Sequence, residues 1–313
     1  MKRRTFLTAA SLVAGTSVAS TLALRSGVSE GELRTDVPMR SDILGIDTRY
    51  TVYIPGDHPD DEPVPIVYLL HGVFDDNTAW ARYCDLKRLM DTMINDGRLP
   101  PMVVVTPDGR RDLSLDSGDQ PTTYCMNDAD GGFRWEDMFM QELMPHVERT
   151  YNAGGSAPLR GICGYSMGGF GALLYATLYP GTFSGVAGMS PSTRTEDQVR
   201  EMDPEEYNRV LGSGMGLDLV DDERINDRFW HYNVADAIRR TPPEELQRAG
   251  YYLDTGSEDD YTLIGNREVQ DAFTEQGIAH DVHTEPGTHE WDYWRGSTPR
   301  ALEYLAAYLQ AAA

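Results

Sequence analysis

The chain predicts an α/β protein, with a mostly parallel central sheet and helices on both faces. Three observations point there. Strand-like and helix-like segments alternate along most of the 313 residues, the pattern of a sheet built from crossover connections. One strand-to-helix junction carries Gly164-Tyr165-Ser166-Met167-Gly168-Gly169, with an apolar run at 159–163 before it and a helical pattern at 170–179 after it. A hydrophobic content of 40% over this length can bury one large core or two domains.

Strands are expected near 48–54, 65–71, 102–107, 159–164, 184–189, 250–256 and 280–285, the last from its apolar alternation. Helices are expected near 80–96, 135–149, 167–179, 263–276 and 298–311. Pro145 should kink or break the second of these. Gly277 stands where a C′ residue would stop the fourth. Thr298 and Pro299 read as N-cap and first residue of the last. Residues 191–249 separate two strands and are too long for an ordinary connection. They read as a cap-like insertion overhanging the strand ends. No internal repeat is apparent. The expected organisation is a leader and polar linker over 1–40, then one domain over 41–313.

The Gly-x-Ser-x-Gly element fits a nucleophile elbow. A sharp turn between strand and helix lifts the serine hydroxyl clear of the sheet, and glycines are needed where side chains would strike the neighbouring strand and helix. A serine hydroxyl needs a base within hydrogen-bond reach, and the base needs an orienting carboxylate. Four histidines follow Ser166: His231, His280, His283 and His289. His289 lies in a turn-prone loop past the last strand, where a loop-borne base belongs. His280 and His283 sit within that strand and point to opposite faces. For the acid, Asp254, Glu258, Asp259 and Asp260 compete. Asp259, at the crest of the loop after 250–256, is favoured, with Asp260 next and Asp254 a buried support. An oxyanion would take the backbone N–H of Met167 and that of Val73, with Phe74 as the alternative to Val73. His71 precedes the serine and is assigned to shaping that loop. Phe74, Tyr124, Trp230 and Trp291 are candidate walls for a substrate pocket.

These residues carry a resemblance. Tyr68-Leu69-Leu70-His71-Gly72, the run from Leu99 to Gly109, Trp135-Glu136-Asp137, Glu142-Leu143-Met144-Pro145, the stretch from Gly164 to Ala172 and the Gly287-Thr288-His289-Glu290-Trp291 loop resemble the esterase-D-type ("putative esterase") family of α/β-hydrolases. That family includes feruloyl and acetyl-xylan esterases, S-formylglutathione hydrolases, enterochelin esterases and mycolyltransferases. The likeness runs from about Thr48 to Leu309. It implies the α/β-hydrolase fold, and a nucleophile, acid and base at the positions reached above. Its motifs do not specify a substrate.

The amino terminus, Lys2-Arg3-Arg4-Thr5-Phe6-Leu7 followed by a mildly apolar run to Ala19, fits a twin-arginine export signal. The run is too interrupted for a good membrane span. Small residues at Ser17-Val18-Ala19 or Thr21-Leu22-Ala23 offer cleavage sites. Lysine and arginine number 27 against 50 acids, a net charge of −23, and lysine occurs only at Lys2 and Lys87. Such a field disfavours nucleic acid and anionic membranes, and it keeps a protein soluble where salt screens charge, as in a halophile. Of three cysteines, Cys163 reads as a small buried hydrophobe, while Cys84 and Cys125 are candidates for one disulfide in an oxidising compartment. No metal or other cofactor is called for.

Together these features predict a secreted serine carboxylic-ester hydrolase working through Ser166, His289 and Asp259. Feruloyl or acetyl esters of polysaccharide are candidate substrates. The rivals are an acyltransferase of the mycolyltransferase type, an S-formylglutathione-hydrolase-like thioesterase, and a non-catalytic binding protein on the same fold.

Overall fold

The computed structural model describes residues 29–59 and 61–309. The basic leader segment lies outside them. Eight strands form one sheet: β1 (Glu32–Arg40), β2 (Asp47–Ile54), β3 (Ile66–Leu70), β4 (Val103–Pro107), β5 (Arg160–Tyr165), β6 (Gly185–Met189), β7 (Gly250–Gly256) and β8 (His280–Glu285). Their order is β1-β2-β4-β3-β5-β6-β7-β8. β1 and β2 are antiparallel, β2 meets β4 antiparallel, and β4 through β8 are mutually parallel. The seven expected strands are all present.

The eighth, β1, lies where the sequence reading put a polar linker. Its pairing slips between Arg34 and Val37, and Asp36 there has φ of +54°. A bulged outer strand with a charged, mostly exposed sequence is how a sheet edge avoids unwanted pairing. The same features hide it from periodicity. β8 guards the opposite edge with His, Asp and Glu side chains at least partly open to solvent.

Helices cover both faces. Helices Ala79–Cys84, Leu86–Asn95 and Trp291–Tyr308 pack on one face, with Trp80, Met90, Leu302 and Leu305 buried. The other face carries Trp135–Thr150, Met167–Leu178 and Asp260–Glu275 together with the insertion. The single helix expected near 80–96 is two, divided at Asp85 with φ of +47°. Pro145 does not break its helix. A π turn over Phe139–Leu143 precedes it, and a widened turn accommodates the missing N–H. The last helix begins at Trp291, not Thr298, and Pro299 lies inside it. Thr298 is therefore no N-cap. Its hydroxyl donates to the Trp294 carbonyl instead, at 2.6 Å. Cys84, Cys125 and Cys163 are all buried free thiols. Cys84 and Cys125 belong to the layers on opposite faces of the sheet, so the disulfide considered for them does not form.

Residues 191–249 are a string of helices of three to seven residues. They bury Tyr207, Leu211, Phe229 and Ile238 on the core. Arg224, 2% exposed, donates to the carbonyls of Leu219, Val199, Arg200 and Met202 and lies over the Tyr207 ring at 4.3 Å.

Candidate active site

The turn between β5 and helix Met167–Leu178 holds Ser166 at φ +53°, ψ −119°, a conformation a non-glycine residue keeps only when its surroundings enforce it. Backbone bonds do so here. Ser166 N–H donates to Met189 O at 2.9 Å, and its carbonyl accepts from Phe170 and Ser192, both at 3.0 Å. Two glycines make the turn possible. A Cβ on Gly164 would stand 2.3 Å from the Gly168 backbone, and one on Gly168 would stand 2.3 Å from Leu70 O.

His289 and Asp259 reach this serine from two neighbouring loops that are stitched together. Ser257 and Glu258 donate N–H bonds to the Glu285 and Gly287 carbonyls at 2.8 and 2.9 Å. His289 Nδ1 lies 2.8 Å from Asp259 Oδ2, and Nε2 lies 2.8 Å from Ser166 Oγ. Asp259 also caps helix Asp260–Glu275, accepting from Thr262 N–H at 3.2 Å. Burial opposes ionisation of Asp259, but the hydrogen bond from His289, the charge that His289 carries when protonated, and polar contacts with Thr262 and Ser190 together outweigh it and hold its carboxyl below the usual carboxylate range. An ionised Asp259 accepts from Nδ1–H, which leaves Nε2 bare to accept the serine hydroxyl. The imidazole is walled edge-on by Trp294 and Tyr261, with ring centroids 5.0 and 5.3 Å away.

The competing acids go elsewhere. Asp254 is fully buried on β7 and accepts from the hydroxyls of Tyr252 and Tyr293. Glu258 and Asp260 are exposed. Of the other downstream histidines, His280 bonds the Ile278 carbonyl, His283 packs on Tyr252 and His231 on Tyr232.

Met167 opens the helix after the serine. Val73 and Phe74 lie in the turn leaving β3, the strand beside β5. That turn is pinned by His71, buried, whose Nε2 accepts from Gly109 N–H at 2.9 Å while Nδ1 donates to Gly72 O at 2.8 Å. Phe74 sits at φ +62° on the rim of a small cavity shared with Met167 and Thr123, and Arg209 from the insertion stacks on its ring at 4.1 Å.

The other pocket candidates divide. Tyr124 is 1% exposed and lines a partly open cavity with Phe170. Trp291 packs among Trp80, Tyr83, Tyr165 and Trp294 and borders neither this cavity nor the one beside Phe74. Trp230 sits partly exposed against Phe229 and borders neither of these two cavities. Sequence reasoning passed over Arg194 and Tyr261, which stand beside the site. The proximity of Tyr261 to Asp259 in the chain was the available signal.

A strained serine bonded to an imidazole that is itself bonded to a buried carboxylate is an arrangement suited to acyl transfer. The "Putative esterase" family profile matches residues 41–305. The chain belongs to this family. An esterase of Mycobacterium tuberculosis is 26% identical to this family member over 261 residues, 79% of the chain and 53% of the relative. The chain thus spans about half the length of the curated relatives it matches first. A solved ferulic acid esterase superposes with a TM-score of 0.73 at 23% identity, covering 90% of this chain and 99% of that one. An S-formylglutathione hydrolase from Agrobacterium tumefaciens gives 0.69 at 17% identity, covering 91% and 98%. At these identities the two structures establish the α/β-hydrolase fold. Among the described residues no group of three or more His, Cys, Asp or Glu is placed to hold a metal, and no helix is long and apolar enough to cross a membrane.

Proposed function

We propose that this esterase-family member hydrolyses carboxylic esters through Ser166, His289 and Asp259. The observation that carries the reading is the unbroken chain of two 2.8 Å contacts from Asp259 to His289 to Ser166. Ser166 Oγ attacks the ester carbonyl while His289 Nε2 takes its proton. Asp259 fixes the tautomer and stabilises the imidazolium. The N–H groups of Met167 and Val73 receive the oxyanion. His289 then protonates the departing alcohol, and water repeats the cycle on the acyl-enzyme.

For the substrate we infer feruloyl or acetyl esters attached to polysaccharide, which the names of the similar ferulic acid esterases support. The basic leader supports export through a twin-arginine route, and the net charge of −23 supports work in concentrated salt. Equal melting temperatures from low to multimolar salt would remove the salt reading. The function itself is tested with p-nitrophenyl esters of increasing acyl length, methyl ferulate and acetylated xylan, with Ser166→Ala as the blank. Turnover confined to the wild type is expected. A folded wild type inactive on every ester would overturn the hydrolase reading, and acyl transfer to an added sugar would replace hydrolysis with transfer.

A further inference from the structure

Arg194 is a buried cation with a hydrogen-bonding position left open beside the proposed active site. Its side chain is 7% exposed. It lies at the start of the insertion, two residues beyond Ser192, which bonds the Ser166 carbonyl. The guanidinium is clamped between two rings, 4.7 Å from the centroid of Tyr261 and 5.8 Å from that of Tyr124. Tyr261 is the ring that abuts His289. Nη1 is occupied, donating to the Tyr124 hydroxyl at 2.6 Å and the Ser192 carbonyl at 3.3 Å. Nη2 is buried and has no hydrogen-bond partner among the described residues. The exposed Glu206 carboxylate forms an ion pair with it at 3.8 Å, too long for a hydrogen bond.

A guanidinium cannot shed its proton. Leaving one of its buried N–H groups unmet costs more than leaving a neutral donor unmet. The surroundings show where a partner would come from. Arg194 lines a partly open cavity whose wall includes Phe170, one turn after Ser166, and is otherwise largely apolar, with Leu211, Phe229 and Val269. The wall's carboxylate, Glu268, is within ion-pair distance of Arg239. The open space is narrow, about 30 Å³. The placement of Tyr124 is enforced, because it and Cys125 are successive non-glycine residues at φ of +46° and +57°.

We propose that Arg194 is a specificity-determining residue that receives a carboxylate at the far end of the substrate's acyl group. Among aliphatic acyl groups, monoesters of dicarboxylic acids are then preferred to plain alkyl esters of the same length, with the terminal anion on Nη2. This rests on the ester-hydrolase reading of Ser166.

The test pairs p-nitrophenyl monoesters of adipic, pimelic and suberic acid with p-nitrophenyl hexanoate, heptanoate and octanoate. High salt screens the long-range repulsion from the net charge. The wild type should favour the carboxylate member of at least one pair in kcat/KM. Arg194→Met should lower that preference about 10–100-fold, the weight of one charge-assisted hydrogen bond. Arg194→Lys, which keeps the charge, should restore part of it, a rescue that a purely structural arginine would not show. A wild type with no preference in any pair, or a preference untouched in Arg194→Met, overturns the proposal while alkyl-ester turnover leaves the hydrolase reading standing. A wild type inactive on both series overturns both.

Discussion

Strands β3, β6 and β7 are buried along their whole length and β5 along all but its first residue, whereas residues 191–249 fold as short helices and turns pinned by arginines. In the sheet, backbone pairs with backbone, and the atoms assigned to chemistry hang from strand ends that cannot shift without breaking the ladder. In the insertion, Arg224 ties together the carbonyls of four residues, and Arg228 bonds the carbonyls of Gly214 and Asn127. Side chains supply there what a ladder supplies in the sheet. The contrast assigns bond making to the sheet and choice of substrate to the insertion, so variants in the two regions should fail differently.

The largest effect belongs to the sheet. Ser166→Ala should lower turnover on the order of 10⁶-fold with little change in melting temperature, read from initial rates on a p-nitrophenyl ester beside a thermal scan. Asp259→Asn should cost on the order of 10⁴-fold in kcat, because the amide cannot select the same imidazole tautomer. Asp260→Asn, on an exposed carboxylate, should stay within about tenfold, and the reverse ranking would move the acid to Asp260. Arg224→Met probes the insertion. It strips several buried carbonyls of their donor and should destabilise the fold by about 2–4 kcal/mol in urea unfolding, while kcat on the smallest ester falls far less than in either sheet variant.

The smallest effect concerns pH. Asp259 titrates below its ordinary value in the folded chain, so the native state binds fewer protons than the unfolded one across that interval. The stability it adds is complete above the unfolded carboxylate pKa of about 3.9 and is lost as pH falls from there through the lower folded value. Asp259→Asn should therefore flatten the acid limb of stability below about pH 4 relative to the wild type. Identical slopes would remove the linkage.

The same contrast explains what could be read from the sequence. The elbow was legible because Gly164, Ser166 and Gly168 answer a local steric demand, and the order of serine, acid and histidine follows from strand order. Asp259 was legible as the residue at a loop crest. Strand β1 was not, since an edge strand is selected for charge and a bulge rather than alternation. The start of the last helix at Trp291 was missed because Thr298 and Pro299 imitate a helix entrance, although the turn around them is already helical. The packing of Trp291 on Trp80 and Tyr83 was not legible, because those partners lie more than 200 residues earlier in the chain. Arg194 was invisible for a related reason. Its place depends on Tyr124 and Tyr261, both about 70 residues away in opposite directions.

The most direct test of the central claim is covalent. The folded chain is treated with a serine-directed fluorophosphonate, and the adduct is located by peptide mass spectrometry. One phosphonate per chain on Ser166, absent from Ser166→Ala and strongly slowed when His289 is replaced, is the predicted result. No adduct on folded protein, or an adduct on another residue with Ser166 untouched, would contradict the account.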